Sequence, residues 1–311
     1  MGEIHRLLIR HGKETALRAD VSREVVEAAF AYLSEEQSSL ATIYSGWCQA
    51  ALPHKRLADD ATWQLRTDHC TLLVEPGRRV LPEGDPVAVG VPYGSRARLI
   101  LIYLQTEALR TNSREVELGR SLRDWLRRMG IPLGGKSIRD VREQADRLSR
   151  CRLTFHVNSG GRASLLNQNL LDGAMFVASD EKDQGSLFIE VAKLSESFFA
   201  ALKRHPVPIE EAAIKAINNN SQAIDAYIWL AYRLHSLTRP MTVTWKALHC
   251  QFGSGYNRLD HFRRKFSESL HLATAVYPDA KVAIDARGVV LSPSRPPVAP
   301  RMVASSPASE H

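Results

Sequence analysis

The chain has 311 residues, of which 44% are hydrophobic and 24% charged, which is the ordinary composition of a globular protein of about two domains. No stretch approaches the roughly 18 consecutive apolar residues of a membrane-spanning helix. The N-terminal residues lack the apolar core of a signal peptide, so we expect a cytoplasmic protein. In that compartment the four widely spaced cysteines are expected to be reduced and buried.

The first hundred residues predict few regular elements. Residues 1–20 have weak periodicity and predict a mobile start, whereas Ser22 is well placed to cap a helix over Val21–Leu33. The segment DHCTLLVEPG predicts a strand that ends at Pro76. Ser95–Arg110 predicts a strong helix with Ser95 as its cap and with Leu99, Ile102, Tyr103 and Leu109 on the buried side.

A strand, two helices and two further strands are predicted next. The segment REVEL is short and extended, and Leu122–Met129 has apolar residues at helical spacing. Gly130 is a candidate C-terminal capping glycine, and Pro132 prevents the helix from continuing. A new helix is expected from Ser137, with Asp140 in a capping-box-like position, to about Arg150. CRLTFHV and SLFIEV then predict strands.

The second half of the chain predicts the same elements in the same order. Pro206 and Pro208 indicate a boundary, and NNNS at Asn218–Ser221 is expected to cap a helix over Ala223–Leu237. MTVTW predicts a strand, Lys246–Phe252 a short helix, and the residues after Leu259 a long helix with a narrow apolar stripe. KVAIDARGVVL predicts a hairpin whose turn is Asp285 to Gly288.

This repeated order predicts an α+β, mainly helical protein with tandem winged-helix domains, each a helix-turn-helix with a β-hairpin wing. The expected divisions are an N-terminal helical or mobile segment over 1–45, a first winged-helix-like domain with an N-terminal extension over 46–205, a second over 206–294 and a disordered tail over 295–311. Trp125, Trp229, Phe262 and Phe266 lie on the apolar stripes and are expected in the core.

The positive charge is concentrated in one region. Residues 110–152 carry 12 Lys or Arg against 6 Asp or Glu, which is most of the net +7 of the whole chain. A clustered basic surface is typical of a nucleic-acid-binding protein, although a solvated helical face with ion pairs has the same composition.

In a helix-turn-helix the second helix enters the major groove, and arginines on it can pair with guanine. Lysines and backbone amide groups near helix starts mostly contact phosphate. For each candidate the alternative is an ordinary exposed helix charge. The DNA-contact candidates chosen by helical geometry are Lys136, Arg139, Arg142, Arg147 and Arg150 in the first unit, Arg258, His261, Arg264 and Lys265 in the second, and Arg287 at the wing tip.

Gly130–Ser137, GIPLGGKS, matches the GxxxxGK[ST] pattern of a P-loop, which would make the protein an ATPase. A working P-loop follows a buried strand, but the preceding SLRDWLRRM is polar and has helical periodicity. Glu190 and Asp285 are the candidate partner acids, and neither follows a βα unit. A turn between two helices is the favoured interpretation, with Lys136 facing a DNA phosphate.

Other chemistry has little support in the sequence. His69-Cys70 and His249-Cys250 could be grouped as a zinc set, but they lack the close spacing of structural zinc sites. No nucleophile stands in a recognisable catalytic motif. We therefore expect no enzyme activity, no metal and no cofactor.

Five stretches resemble the plasmid-encoded RepA replication initiator proteins. They are VPYGSRARLILIYLQTEALR, GRSLRDWLRRMGIPLGGKS, DAYIWLAYRLHSL, LDHFRRKFSESLHLATAVYPDAKV and RGVVLSPSRPPV, and the resemblance runs from about Gly46 to Val298. It does not identify which residues contact DNA.

The resemblance implies a protein that recognises its own plasmid origin in double-stranded DNA, bends or melts it, and brings in host replication proteins, including the host initiator and helicase. It also implies monomers that bind repeated origin sites and dimers that repress their own promoter. The remaining alternatives are a transcriptional repressor of the same architecture and the P-loop ATPase.

Overall fold

The structure is a computed structural model that describes residues 1–36, 39–67, 70–117, 127, 130–131, 134–159, 162–178 and 187–298. Within these ranges helices and antiparallel sheets combine into an α+β fold. The helices are α1 Glu3–Leu17, α2 Arg23–Leu33, α3 Gly94–Thr111, α4 Gly135–Arg150, α5 Glu196–Arg204, α6 Glu211–Ala216, α7 Ser221–Arg233, α8 Trp245–Phe252 and α9 Leu259–Ala275.

The strands are β1 Leu40–Tyr44, β2 Trp63–Arg66, β3 Cys70–Glu75, β4 Arg78–Arg79, β5 Val87–Ala88, β6 Glu115–Glu117, β7 Arg152–Ser159, β8 Arg162–Asn169, β9 Leu171–Ala178, β10 Leu187–Leu194, β11 Pro206–Glu210, β12 Met241–Thr244, β13 Lys281–Ile284 and β14 Gly288–Ser292. They form sheets of order β1-β11, β2-β3-β7-β8, β4-β5, β6-β10-β9 and β12-β14-β13. Short 3-10 helices cover Ser45–Cys48 and Leu234–Ser236.

In the N-terminal segment, which is predicted to be helical or mobile, residues 3–17 form α1, and this helix packs on the second half of the chain. His5 is buried, and its Nε2 donates to the carbonyl of Ala275 at the end of α9, at 2.7 Å. The amide of Gly2 donates to the carbonyl of Pro278 at 2.9 Å. A kink at Gly12, with φ of 75°, interrupts the helical period, which explains the weak signal in the sequence.

Helix α3 lies at the centre of the fold. Every residue from Ala97 to Gln105 is buried, so the helix is covered on all sides by β1, α4, α7 and their neighbours. The predicted core residues Leu99, Ile102 and Tyr103 are among them. The predicted cap is wrong, because the helix begins at Gly94 and Tyr93 is the N-cap.

The two predicted strands that follow α4 lie in different sheets. The predicted strand CRLTFHV corresponds to β7, which pairs with β3 and β8, and LFIEV of the predicted strand SLFIEV lies in β10, which pairs with β6 and β9. The short strand β6 thus lies against the last strand of the β9–β10 hairpin, and the β7–β8 hairpin is inserted between α4 and β9. The sequence analysis had missed β8 and β9.

The second unit follows the predicted order. Helix α7 is capped by Asn220, whose Oδ1 accepts from the amide of Ala223 at 2.9 Å. Strand β12 lies against β14, the last strand of the β13–β14 hairpin. The strand order β12-β14-β13 therefore matches β6-β10-β9 of the first unit. Trp229, Phe262 and Phe266 are buried, as predicted.

The two units share one continuous core. Pro206 and Pro208, predicted to mark a boundary, lie in β11, which pairs with β1 in an antiparallel ladder. Arg98 in α3 and Asp225 in α7 form a buried bidentate ion pair, with both N–O distances at 2.7 Å. The units are therefore joined by packing, by a strand ladder and by a buried charge pair.

Several predictions fall partly or wholly outside the described residues. These are most of the helix over Leu122–Met129 with Trp125, the zinc candidate His69, and the tail from residue 299. All four cysteines are free, and Cys48, Cys70 and Cys151 are buried, but Cys250 is exposed, which contradicts its predicted burial. None of the described helices is long and apolar enough to cross a bilayer.

Candidate nucleic-acid interface

Helix α9 separates an apolar face from a basic one. Phe262, Phe266 and Leu270 are at most 1% exposed and hold the helix against α7 and α8. This stripe leaves the opposite face of the first two turns in solvent. Arg258, His261 and Arg264 line an open depression there, together with Asp260.

The ion pairs on this face are exposed and therefore weak. Arg258 pairs with Asp260 through two hydrogen bonds of 3.0 and 2.6 Å, and Lys265 pairs with Glu268 at 2.8 Å. Among the described residues Arg264 has no ion-pair partner. Because these side chains lie in water, they can exchange their carboxylate partners for phosphate or for a base edge without a large desolvation cost.

Arg263 is a residue of this site that the sequence analysis missed. Its guanidinium lies 5.1 Å from the ring centroid of Trp245, the first residue of α8, and donates to the carbonyl of Ala286 at 3.3 Å. Arg263 therefore joins both helices to the turn of the β13–β14 hairpin. The sequence contains only a weak indication of this contact, namely an arginine beside the apolar stripe of α9 and a tryptophan at the start of α8.

The hairpin turn is held firmly at its base. Trp245 Nε1 donates to the carbonyl of Asp285 at 3.1 Å, and the Asp285 carboxylate accepts from the amides of Arg287 and Gly288 at 2.6 and 2.9 Å. The side chain of Arg287 is exposed at the tip. These bonds fix the backbone of the turn, and therefore the position of the Arg287 Cα atom, relative to α9. Lys246, another missed cation, is exposed beside Trp245.

The N-terminal half of α4 is the second basic surface. Lys136 and Arg139 are exposed and Arg142 is half-buried. The predicted caps are wrong, because the helix begins at Gly135 with Gly134 as N-cap and no side chain caps it. Backbone amides at the start of a helix, together with adjacent cations, favour an anion such as a phosphate group.

The C-terminal half of α4 belongs to the protein interior. Arg147 is 3% exposed, and its guanidinium donates to Glu143, Asp59 and the carbonyl of Val91. Arg150 is half-buried and donates to Asp146 at 2.8 Å and to the carbonyl of Arg78. The prediction that these two lie on the exposed face with Arg139 is wrong for Arg147, because a helix that packs on two sides buries part of its polar face.

The candidate residues thus form two groups on different elements. Arg258, His261, Arg264 and Lys265 share one helix, and Arg263 links them to the hairpin that carries Arg287. Lys136, Arg139 and Arg142 share the start of α4.

The P-loop candidate Gly130–Ser137 is not accompanied, in the described part of the chain, by the parallel sheet that supports a nucleotide-binding P-loop. Lys136 lies at the start of α4, and every strand pairing in the described part of the chain is antiparallel, unlike the parallel sheet of P-loop proteins. Asp285 is a turn residue bound to backbone amides.

The zinc candidates do not converge within the described ranges. His249 Nε2 donates to the carbonyl of Tyr256 at 2.9 Å, Cys70 is buried in β3 and Cys250 is exposed. No cluster of three or more His, Cys, Asp or Glu side chains suited to a metal ion occurs among the residues that the structure describes.

A comparison with solved structures finds a similar fold at low sequence identity. A crystal structure of selenomethionine derivatives of domains 2 and 3 of RctB has a TM-score of 0.51 and 12% identity, with 80% of this chain and 97% of that chain covered. A second crystal structure of RctB domains 2–3 has a TM-score of 0.47 and 12% identity, with coverages of 79% and 94%.

No curated protein sequence matches the chain. The family model described as plasmid encoded RepA protein matches residues 91–247, about half of the chain, from just before α3 to the start of α8. This range includes α4 and its basic start, as well as α7. The chain therefore belongs to the plasmid-encoded RepA family of replication initiators.

Proposed function

We propose that this protein initiates plasmid replication by binding a specific double-stranded DNA site at its origin through two winged-helix units. Helices α8 and α9 would be the helix-turn-helix of the second unit, with the β13–β14 hairpin as its wing. Helix α4 would be the recognition helix of the first unit, with the β9–β10 hairpin as its wing.

The observation that carries this proposal is the surface of α9. Its first two turns expose arginine, histidine and lysine side chains, while a buried aromatic stripe and the Arg263–Trp245 contact hold the helix and the hairpin together. A cationic helix held rigidly beside a cationic hairpin is the arrangement by which winged helices bind a major groove and the adjoining backbone.

The residues would have distinct tasks. Arg264 and Arg258 would read base edges, since a guanidinium can pair with guanine through two hydrogen bonds. Lys265, Lys246 and Arg287 would contact phosphate and position the helix. In the first unit, Lys136 and the free amides of α4 would bind phosphate, with Arg139 and Arg142 facing the groove. We do not propose DNA contacts for Arg147 and Arg150, because their guanidinium groups bind protein atoms that hold α4 in place.

Family membership also supports a proposal about the wider role of the protein. We propose that the bound protein bends or melts the origin, recruits the host initiator and helicase, and performs no covalent chemistry itself. We also propose that it works in the bacterial cytoplasm and that a dimer represses its own promoter.

Fluorescence anisotropy with labelled fragments flanking the gene tests the DNA-binding step. Excess nonspecific duplex DNA tests whether binding is sequence-selective, and a salt series measures the contribution of phosphate contacts. Nucleotide is omitted to test whether binding requires ATP. Selective binding that weakens steeply with salt is expected, because each phosphate contact releases condensed counterions. Binding that is unselective, or that requires ATP and disappears in Lys136→Ala, would instead support the ATPase.

A further inference from the structure

The loop of residues 217–220, between α6 and α7, does more than cap a helix. Asn220 caps α7, as the sequence predicts. The two preceding residues, Asn218 and Asn219, instead contact the first unit. Arg96 Nη2 donates to the side-chain oxygen of Asn219 at 2.9 Å, and Arg96 Nη1 donates to the backbone carbonyl of Asn218 at 3.4 Å.

The side chain of Asn218 reaches the turn that precedes α4. It is 9% exposed, and its Nδ2 donates to the carbonyl of Gly130 at 2.9 Å. Gly130 also packs against the neighbouring helix, since a Cβ atom there would lie 3.0 Å from Lys215 Cγ. The turn of the first unit is therefore bonded to Asn218 of the second unit and lies against Lys215 of the same unit.

The position of Gly130 makes this contact important for α4. Gly130 adopts the left-handed conformation, with φ of 67°, and Ile131 beside it is buried. Helix α4 begins five residues after Gly130, so a displaced turn would displace the start of the helix.

A second link runs from the same loop to α4. Burial lowers the pKa of Arg96, and the carboxylate of Asp140 in α4 opposes that shift. Arg96, held by Asn218 and Asn219, therefore lies within electrostatic range of the first turns of α4.

We infer that Asn218 is a positioning residue that fixes the start of α4 relative to the second DNA-binding unit. The inference rests on the proposed function, in which α4 and α9 contact the same DNA. The two units would then bind as one rigid body, and loss of the Asn218 side chain would weaken the contact made by α4 while leaving that of α9.

The test uses the full-length chain with Asn218→Asp, which keeps the shape but places a carboxylate oxygen against the Gly130 carbonyl, and with Asn218→Ala. The matched control is Asn219→Ala, which removes a partner of Arg96 but keeps the bond to Gly130. The first measurement is amide hydrogen exchange of residues 138–142 without DNA. Exchange is expected to become about fivefold faster in the Asn218 variants, because losing one hydrogen bond makes local opening of the helix start about fivefold more frequent. Exchange should stay unchanged in the control.

The second measurement is a hydroxyl-radical footprint on the fragment selected by anisotropy. The Asn218 variants are expected to lose the part of the footprint made by α4, to bind about five- to tenfold more weakly and to show a shallower salt dependence. The part made by α9 should remain. A general loss of stability would weaken both parts together, so this readout separates positioning from folding.

Unchanged exchange in both variants, or an equal loss of both parts of the footprint, would overturn the inference. If the wild-type chain selects no fragment, the proposed function fails. The exchange measurement then still decides whether Asn218 holds α4.

Discussion

The buried ion pair between Arg98 and Asp225 is expected to make the joined units sensitive to the loss of either partner. Arg98 is 4% exposed, donates twice to Asp225 at 2.7 Å, and also donates to the backbone carbonyls of Leu52, Pro53 and Gly94. Arg98→Met removes these five hydrogen bonds and a sixth to His54 Nδ1 at 3.4 Å, and it leaves the Asp225 carboxylate buried with only the His54 ring nearby, 3.9 Å away. Breaking one partner of such a pair costs about 3–5 kcal/mol.

Urea unfolding followed by tryptophan fluorescence measures this cost. Arg98→Met should lower the free energy of unfolding by that amount, and the double variant Arg98→Met/Asp225→Leu should recover part of it, because the buried charge is then gone. The control is Arg110→Met on the same helix, whose exposed pair with Glu107 should contribute little. A loss below about 1 kcal/mol in Arg98→Met would refute the reasoning that this pair is desolvated and fully bonded.

Three further predictions concern pH, the core and DNA. Burial and the charge of Arg98 lower the pKa of His54 to about 3, so the folded state keeps it neutral and stability should fall below pH 6.5. His54→Asn should remove about 2 kcal/mol of the stability lost between pH 6.5 and 5, measured by urea unfolding at both values. Phe266→Ala empties a fully buried site and should cost about 3–5 kcal/mol, against little change for exposed Leu259→Ala in the same assay. Arg264→Ala should weaken binding to the selected fragment by about tenfold and relax base preference at one position, whereas Arg287→Ala should mainly reduce the salt slope. Equal effects of these two variants on every sequence would contradict the separation of base reading from phosphate binding.

Local sequence signals were sufficient for the second unit. The stripe of Phe262 and Phe266, the Asn220 cap and the turn of Asp285 each act within a few residues, so periodicity and capping chemistry predicted α7, α8, α9 and the hairpin. The cationic face of α9 followed from the same periodicity, because a helix that buries one stripe must expose the other.

The tertiary structure decided what depends on partners distant in sequence. Strand β7 pairs with β3, some 80 residues earlier, and α1 packs on α9, some 270 residues later, and neither choice leaves a local pattern. Burial of Arg147 required the carboxylates of Asp59 and Glu143 and the carbonyl of Val91 to meet around one guanidinium. The bond from Asn218 to Gly130 joins residues of different units. The sequence alone thus determined which helices and hairpin the second unit forms and where its charge lies, whereas only long-range packing decided which cations remain exposed and how the two units are held together.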